Sequence, residues 1–204
     1  MIAFTFGLSF SFNAQSADYF VTKKDGLVGL ANADGLQIVE PKYNDIEKFD
    51  VQKKGWAKIT KEELVGYLNR AGSEIVPPVY EDIKNFGLYK KEWALITKDG
   101  KLGFINTAGV VVVKPVYDEI GLFDAVRKGW AKVKLDDKYG FINYEGEITV
   151  PPKYNAIENY NVYKKDLAVV KLAGKYGLIN VDGIQILAPQ YDSLGLLGGG
   201  GKKE

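Results

Sequence analysis

Residues 129–160 read GWAKVKLDDKYGFINYEGEITVPPKYNAIENY, and this stretch contains the signals that decide the fold. Residues 130–135 alternate large apolar side chains with lysine, which is the period-two pattern of a half-buried strand. A polar turn follows, and residues 139–143 (YGFIN) form a second strand. Asn143 and Gly146 suit a hairpin turn, because Asn can hydrogen-bond nearby backbone and Gly adopts positive φ without steric cost. The stretch therefore predicts a β-meander.

The second half of the same stretch adds two further extended pieces. A third strand begins at residues 147–150, and we expect Pro151 and Pro152 to end its pairing because neither has an amide hydrogen. Residues 154–160 (YNAIENY) supply a fourth short extended piece, although the three-residue spacing of its apolar members leaves one helical turn as an alternative. Elsewhere the aromatic and β-branched residues favour β-structure.

The pattern recurs five times at intervals of 37 residues, with no insertion or deletion. The positions that keep this step are Tyr43, Tyr80, Tyr117, Tyr154 and Tyr191; Pro41, Pro78, Pro115, Pro152 and Pro189; Gly29, Gly66, Gly103, Gly140 and Gly177; Asn32, Asn69, Asn106, Asn143 and Asn180; and Tyr19, Trp56, Trp93, Trp130 and Leu167. One such unit is too small to bury enough apolar area to offset its chain entropy. We therefore expect neighbouring units to share their interiors.

The repeat defines the expected domain organisation. The five units span about 18–54, 55–91, 92–128, 129–165 and 166–197, and residues 198–204 form a flexible Gly-rich tail. A coarser period of 74 residues also occurs, since FDVQKKGW at 49–56 resembles FDAVRKGW at 123–130. This alternation favours an all-β fold in which five tandem β-meander repeats form an open solenoid or superhelical array. A five-bladed, propeller-like ring is the alternative.

Composition excludes several classes of function. The 204 residues include 27 Lys and Arg against 26 Asp and Glu, and neither His nor Cys. There is thus no imidazole base, catalytic triad, thiol nucleophile, disulfide or thiolate zinc site. We predict no catalytic residue, no metal and no cofactor. A net charge of +1 gives no electrostatic reason to expect nucleic acid as a partner.

The first 17 residues carry no charged side chain, and residues 2–12 are apolar or small. This run is shorter than the roughly 20 apolar residues that span a bilayer, so we predict no integral membrane span. It is typical of a secretory signal peptide followed by a small and polar cleavage zone. The basic residues expected before it are missing, so two alternatives stay open: a start further upstream, or a hydrophobic first strand. The signal peptide predicts export to the periplasm, the cell surface or the medium.

Carboxylates and amides follow the repeated tyrosines, and aromatic side chains with lysines lie off the core pattern. The first group, which includes Asp118 and Glu119, could pair as a glycosidase acid and base, but we expect it to cap turns or occupy solvated edges. The second group forms a basic, aromatic edge that could stack on sugar rings. Its members are Tyr89, Lys90, Lys91, Tyr163, Lys164 and Lys165. The alternative for these lysines is that they guard a sheet edge against strand pairing.

The pattern W-A-x-V, then K-x-G-F-I-N-x-x-G, then V-x-P-x-Y-D-x-I-x-x-F resembles the WG (KWG) β-repeat of bacterial proteins, from Tyr19 to about Leu197. One departure is that the Trp expected before the strand glycine is replaced in every unit, by Val28, Val65, Leu102, Tyr139 and Tyr176. The resemblance implies a binding scaffold, often secreted or surface-associated, without catalytic residues. We therefore predict an exported, non-enzymatic scaffold for an unknown protein partner. The alternative is a module that binds carbohydrate or another cell-envelope ligand.

Overall fold

The computed structural model describes residues 19–195, and these contain only strands, turns and connecting segments, with no helix. The predicted signal peptide at 1–17 and the tail at 198–204 lie outside the described residues. The strands are β1 (Tyr19–Lys24), β2 (Leu27–Asn32), β3 (Gln37–Tyr43), β4 (Asp45–Ile46), β5 (Trp56–Lys61), β6 (Leu64–Asn69), β7 (Glu74–Tyr80), β8 (Asp82–Ile83), β9 (Trp93–Lys98), β10 (Lys101–Asn106), β11 (Val111–Tyr117), β12 (Glu119–Ile120), β13 (Trp130–Leu135), β14 (Lys138–Asn143), β15 (Ile148–Tyr154), β16 (Ala156–Ile157), β17 (Leu167–Leu172), β18 (Lys175–Asn180) and β19 (Gln185–Tyr191).

The strands form five antiparallel sheets in chain order. The first sheet has three strands, β1-β2-β3, and each later sheet has four, such as β12-β13-β14-β15. The extra strand is the fourth short piece of the sequence pattern, which is extended and not a helical turn. It pairs with the sheet that follows it, as when Ile157 of β16 lies opposite Val170 of β17. Each of the first four sequence repeats thus donates its last strand to the next sheet.

The third strand of the sequence repeat, which is the last strand of each sheet, continues through its prolines, so the prediction that they end the pairing was wrong. Tyr139 pairs with Tyr154 and Phe141 with Val150, which sets a β-bulge on β15 around the two prolines. The bulged backbone presses on Gly140, where an added Cβ would lie 2.7 Å from the Pro152 nitrogen. The repeated strand glycine is therefore required by this close approach of two backbones.

Each sheet packs one face on the next sheet, and all four junctions use the same positions. We call the face that carries the Trp the forward face and the opposite face the backward face. The core between the second and third sheets joins the forward face of the second to the backward face of the third. The forward face contributes Trp56, Val65, Tyr67, Val76 and Tyr80, and the backward face contributes Ile83, Ala94, Ile96 and Ile105.

The buried side chains form four such clusters, one at each junction of consecutive sheets. Phe141 and Ile142, adjacent in sequence, accordingly belong to different junctions. Within residues 19–195 no cluster joins the fifth sheet to the first. These contacts confirm an all-β fold of tandem repeats in an open array, with shared interiors that repeat at 37 residues and not at 74.

A second glycine position fits each sheet against the one before it. In the turn between β14 and β15, Asn143 Oδ1 accepts hydrogen bonds from the N–H groups of Glu145 and Glu147 at 3.0 and 2.8 Å. Gly146 closes this turn with a φ of +84°, and an added Cβ would lie 2.8 Å from Val113 Cγ2 in the preceding sheet. The same close contact with the preceding sheet is made by the glycines at this position of the later turns, Gly72, Gly109, Gly146 and Gly183.

No helix within residues 19–195 has the length and apolar character needed to cross a membrane.

Gly140→Ala tests the close approach at the bulge. We expect it to lower the free energy of unfolding by about 2 to 3 kcal/mol, because the bulged backbone must shift to admit a methyl group. Gly121→Ala is the matched control, since its Cβ would meet nothing nearer than 3.5 Å. Urea unfolding followed by tryptophan fluorescence measures both variants, and equal midpoint shifts would contradict the assignment.

Candidate functional site

One edge of the array carries all of the long loops. In the fourth sheet, Trp130 at the start of β13 pairs with Asn143 at the end of β14. The loop before β13 and the turn after β14 therefore lie side by side, and the same arrangement occurs in the other sheets that have a loop. We call this edge the loop rim. It consists of the nine-residue loops 47–55, 84–92, 121–129 and 158–166 and the turns 33–36, 70–73, 107–110, 144–147 and 181–184.

The four loops share one backbone conformation. In the third loop, the Asp124 N–H donates to the Trp130 carbonyl at 3.0 Å and the Trp130 N–H donates to the Arg127 carbonyl at 3.1 Å. The corresponding two bonds close each of the other loops. In three loops a side chain adds a further bond, as when Asp124 accepts from the Gly129 N–H at 2.6 Å. Equivalent positions are therefore presented in the same way along the rim.

The tip of each loop exposes an aliphatic side chain. Val51, Leu88 and Val162 are 64%, 61% and 61% exposed, and the smaller Ala125 is exposed at the same position of the third loop. A lysine three residues further on is also exposed in every loop, at Lys54, Lys91, Lys128 and Lys165. Single exposed apolar residues are common on surfaces, but here the pair of aliphatic and lysine recurs with the repeat.

Two of the six residues predicted for ligand binding make contacts inside the array. The Lys90 Nζ lies 4.0 Å from the centroid of the Trp93 ring and donates a hydrogen bond to the carbonyl of Tyr144 in the next sheet. Tyr89 is half-buried and packs edge-on against Phe104 at 5.5 Å. In the first loop, Lys53 makes the same bond to the next sheet as Lys90, because its Nζ lies 2.7 Å from the Thr107 carbonyl oxygen.

The other four predicted residues are exposed on the rim. They are Lys91 in the second loop and Tyr163, Lys164 and Lys165 in the fourth. Tyr163 is 50% exposed. The third loop lies between these two groups, so the structure does not gather the six residues into one site. Whether any of them binds a ligand stays a prediction.

A groove of about 570 Å³ lies where the second and third loops meet. Tyr89, Lys91, Phe123 and Tyr144 are among its lining residues. The rings of Phe123 and Tyr144 lie 5.3 Å apart, and the Tyr144 hydroxyl donates to the Asp124 carboxylate. The two rings therefore pack on each other, and the Tyr144 hydroxyl is held by Asp124.

A related groove of about 430 Å³ lies near the first loop, 74 residues earlier in sequence. There the Arg70 guanidinium lies 5.0 Å from the Phe49 ring and forms an ion pair with Asp50. The 74-residue period thus appears in the rim side chains, where Asp50 and Asp124 are each held by a residue of the adjoining turn. The recurring Phe-Asp dipeptide was the available sequence signal.

The polar residues after the repeated tyrosines lie at the opposite edge and cap turns, as expected. Asp118 accepts a hydrogen bond from the Asp136 N–H at 2.8 Å, and Asn44 accepts one from the Glu62 N–H at 2.7 Å. Glu81 and Asn155 make the equivalent bonds to the N–H groups of Gly100 and Ala173. Among residues 19–195 no three His, Cys, Asp or Glu side chains are grouped so that they could hold a metal ion.

Lys90→Met tests whether Lys90 is structural. We expect the substitution to lower the free energy of unfolding by about 1 to 2 kcal/mol, because it removes a cation–π contact and a charged hydrogen bond between sheets. Lys91→Met, one residue along the same loop and exposed, should change it by less than about 0.5 kcal/mol. Equal denaturation midpoints for the two variants would show that Lys90 does not join the sheets.

The Asp124 carboxyl provides a pH test of the third loop. Hydrogen bonds from the Tyr144 hydroxyl and then from the Gly129 N–H lower the pKa of Asp124 below its ordinary value of 3.8. A carboxyl with a lowered folded-state pKa stabilises the fold above its unfolded-state pKa, and this stabilisation is lost as pH falls through the folded-state value.

In a carboxyl NMR titration, Tyr144→Phe should raise the pKa of Asp124 while leaving it below the ordinary value, since the Gly129 bond remains. Tyr139→Phe, at the other edge of the same sheet, is the control. An unchanged pKa in Tyr144→Phe would exclude the bond from Tyr144.

No curated protein matches the chain. Solved structures that resemble it include Hsv2 from Kluyveromyces lactis, at 9% identity and a TM-score of 0.31 over 84% of this chain, and BamB from Moraxella catarrhalis, at 13% identity and a TM-score of 0.28 over 86%. The chain spans only 60% and 62% of the lengths of those two structures.

The family model described as "WG containing repeat" matches residues 66–101, 103–139 and 139–176, three consecutive repeats that make up more than half of the chain. The matched segments contain the strand glycine, the bulged prolines and the Trp-bearing forward face described above. The chain therefore belongs to the WG repeat family.

Proposed function

We propose that this protein is a non-enzymatic scaffold that binds a protein partner along the loop rim. The observation that carries the proposal is the exposed aliphatic side chain at one loop position, in Val51, Leu88 and Val162. Because the loops share their hydrogen bonds, these side chains stand at regular intervals along a rigid edge. Such an edge suits an extended segment of a partner that contacts one repeat after another.

Charge defines the partner further. The four loops together carry ten Lys or Arg and six Asp or Glu, whereas the five turns of the rim carry one Arg and four Asp or Glu. The exposed lysines lie close to the exposed aliphatic side chains in sequence. The loops of the rim, and not its turns, therefore fit a segment in which acidic and apolar side chains alternate, and each weak contact adds to the others because the partner is already held nearby.

Export is part of the same proposal. The uncharged apolar run at residues 2–12 supports it. Expression of the full reading frame in a bacterial host, followed by N-terminal sequencing of the secreted or periplasmic product, tests it. A product found only in the cytoplasm with residues 1–17 intact contradicts it.

A second candidate function is binding of a carbohydrate or another cell-envelope ligand by Tyr89, Lys90, Lys91, Tyr163, Lys164 and Lys165. The half-exposed ring of Tyr163 favours it, because an open aromatic face can stack on a sugar ring. Tryptophan fluorescence titration with peptidoglycan fragments tests this function. A saturable response that Tyr163→Ala abolishes would support ligand binding. The absence of a response to any fragment would contradict it and leave binding of a protein partner as the proposed function.

Peptides selected from a random display library test the rim. We expect selection to enrich sequences that contain acidic and apolar residues. The triple variant Val51→Ser, Leu88→Ser, Val162→Ser should bind the selected peptides about tenfold or more weakly, because it removes three apolar contacts. Fluorescence anisotropy measures the affinities, and binding to the parent protein should weaken as salt is raised.

The matched control is Val111→Ser, Val116→Ser, Ile148→Ser, which removes three exposed aliphatic side chains from β11 and β15, the last strands of two sheets. It should leave the affinity unchanged. Equal losses in the two triple variants, or enrichment of peptides without acidic residues, would contradict the proposal.

A further inference from the structure

The forward face of the fifth sheet is covered by no further sheet within residues 19–195, although Leu194 lies beside it and lines a pocket of about 190 Å³ with Leu167, Leu178 and Leu187. Leu167, Leu178 and Leu187 are only partly buried, and Tyr191 is 40% exposed. At the equivalent positions of the fourth sheet, Trp130, Phe141, Val150 and Tyr154 are at most 7% exposed because the fifth sheet covers them. The fifth sheet therefore presents a junction surface without its complement.

The backward face of the first sheet lacks its complement in the same way. Phe20 is 53% exposed, whereas the Ala at its position in the other four sheets, for example Ala168, is at most 1% exposed. An added Cβ at Gly35 would meet nothing within 4 Å, whereas the equivalent Gly183 packs closely against Thr149 and Val150 of the preceding sheet.

Side-chain size at the two ends is complementary. Three of the four internal junctions combine a Trp and a Tyr or Phe on the forward face with an Ala on the backward face, and the first combines Tyr19 and Leu30 with Ala57. At the ends, Leu167 and Leu178 replace the two large rings, and Phe20 replaces the alanine. Exchange of this kind conserves apolar volume across a packed interface, which is the change that packed interiors tolerate best.

The strand pairing at the two ends is complementary as well. The first sheet has no short strand among the described residues, so β1 has an open edge. Ser193 and Leu194 occupy the positions that Ala156 and Ile157 hold in β16, yet they follow the last described sheet and pair with no strand. By the register of β16 with β17, Leu194 corresponds to a partner for Thr22.

Lys164 lacks the bond that its counterparts make. Lys53 and Lys90 each donate to a turn carbonyl of the next sheet, at Thr107 and Tyr144. Among residues 19–195 the Lys164 side chain makes no hydrogen bond or ion pair. The equivalent carbonyl at the start of the array is that of Ala33, in the same turn as Gly35, which contacts no other sheet.

We propose that a second copy of this chain docks head to tail, with the backward face of its first sheet on the forward face of the fifth. The docked junction continues the four internal junctions: Phe20 covers Leu167 and Leu178, Gly35 seats on the β19 backbone, and Lys164 binds the Ala33 carbonyl. Such an interface is heterologous, so association extends to rings or filaments unless one end is blocked. A forward face docked on another forward face offers no turn for Lys164 and no short strand for β1.

Sedimentation velocity of the full chain over a concentration series tests self-association. The series should extend to about 100 µM, since one repeat junction is a small interface of modest affinity. We expect a weight-average mass that rises to about twice the monomer value or more. Phe20→Glu and Leu187→Glu, one at each end, should each abolish the rise, and Leu88→Glu on the loop rim should not.

Mixing the two blocked variants separates this arrangement from others. Phe20→Glu retains a free forward face and Leu187→Glu a free backward face, so an equimolar mixture should form a dimer although neither variant associates alone. Circular dichroism and thermal unfolding confirm that both variants fold. Lys164→Met, which removes no hydrogen bond or ion pair among residues 19–195, should weaken association severalfold, while Lys165→Met should not.

A chain that stays monomeric at all concentrations overturns the proposal, as does association that persists in Phe20→Glu alone or a mixture that forms no dimer. Val51, Leu88 and Val162 play no part in the end faces. The peptide-binding experiment therefore tests the proposed function, the assembly experiment tests head-to-tail docking, and either proposal can fail without the other.

Discussion

The structure depends on one constraint: a three-stranded meander of this size has two apolar faces and can bury neither of them alone. The forward face, with Trp93 and Phe104, is covered only by the backward face of the following sheet, where Ala131 and Ile142 lie. The short strand strengthens this dependence, because β12 leaves one repeat to pair with β13 of the next. Packing and hydrogen bonding therefore cross every junction together.

The sequence allowed the fold class and most of the core to be predicted, because both follow from periodicity. Tyr154, Phe141 and Ile142 recur at fixed steps, and each is fully or almost fully buried. The path of the third strand could not be predicted in this way. Pro151 and Pro152 argue against pairing when considered alone, and only the bulge opposite Gly140 lets the strand accommodate them.

The candidate site was predicted less well, because position on a repeat does not reveal which partner a long side chain finds. Lys90 and Lys91 are adjacent in sequence, yet Lys90 lies over Trp93 and binds the next sheet while Lys91 is exposed. The spacing of Lys90 three residues before Trp93 was the only local signal. The contact it predicts depends on the turn at Tyr144, which is 54 residues away in the chain.

The offset between sequence repeats and sheets has a consequence for how such a chain can change in length. Every sheet after the first takes its short strand from the repeat before it, and all four junctions use the same positions. A gain or loss of 37 residues, starting at any phase of the pattern, restores an identical junction on both sides of the break. Unequal recombination within the gene can thus lengthen or shorten the protein without a preferred boundary and without creating a new core.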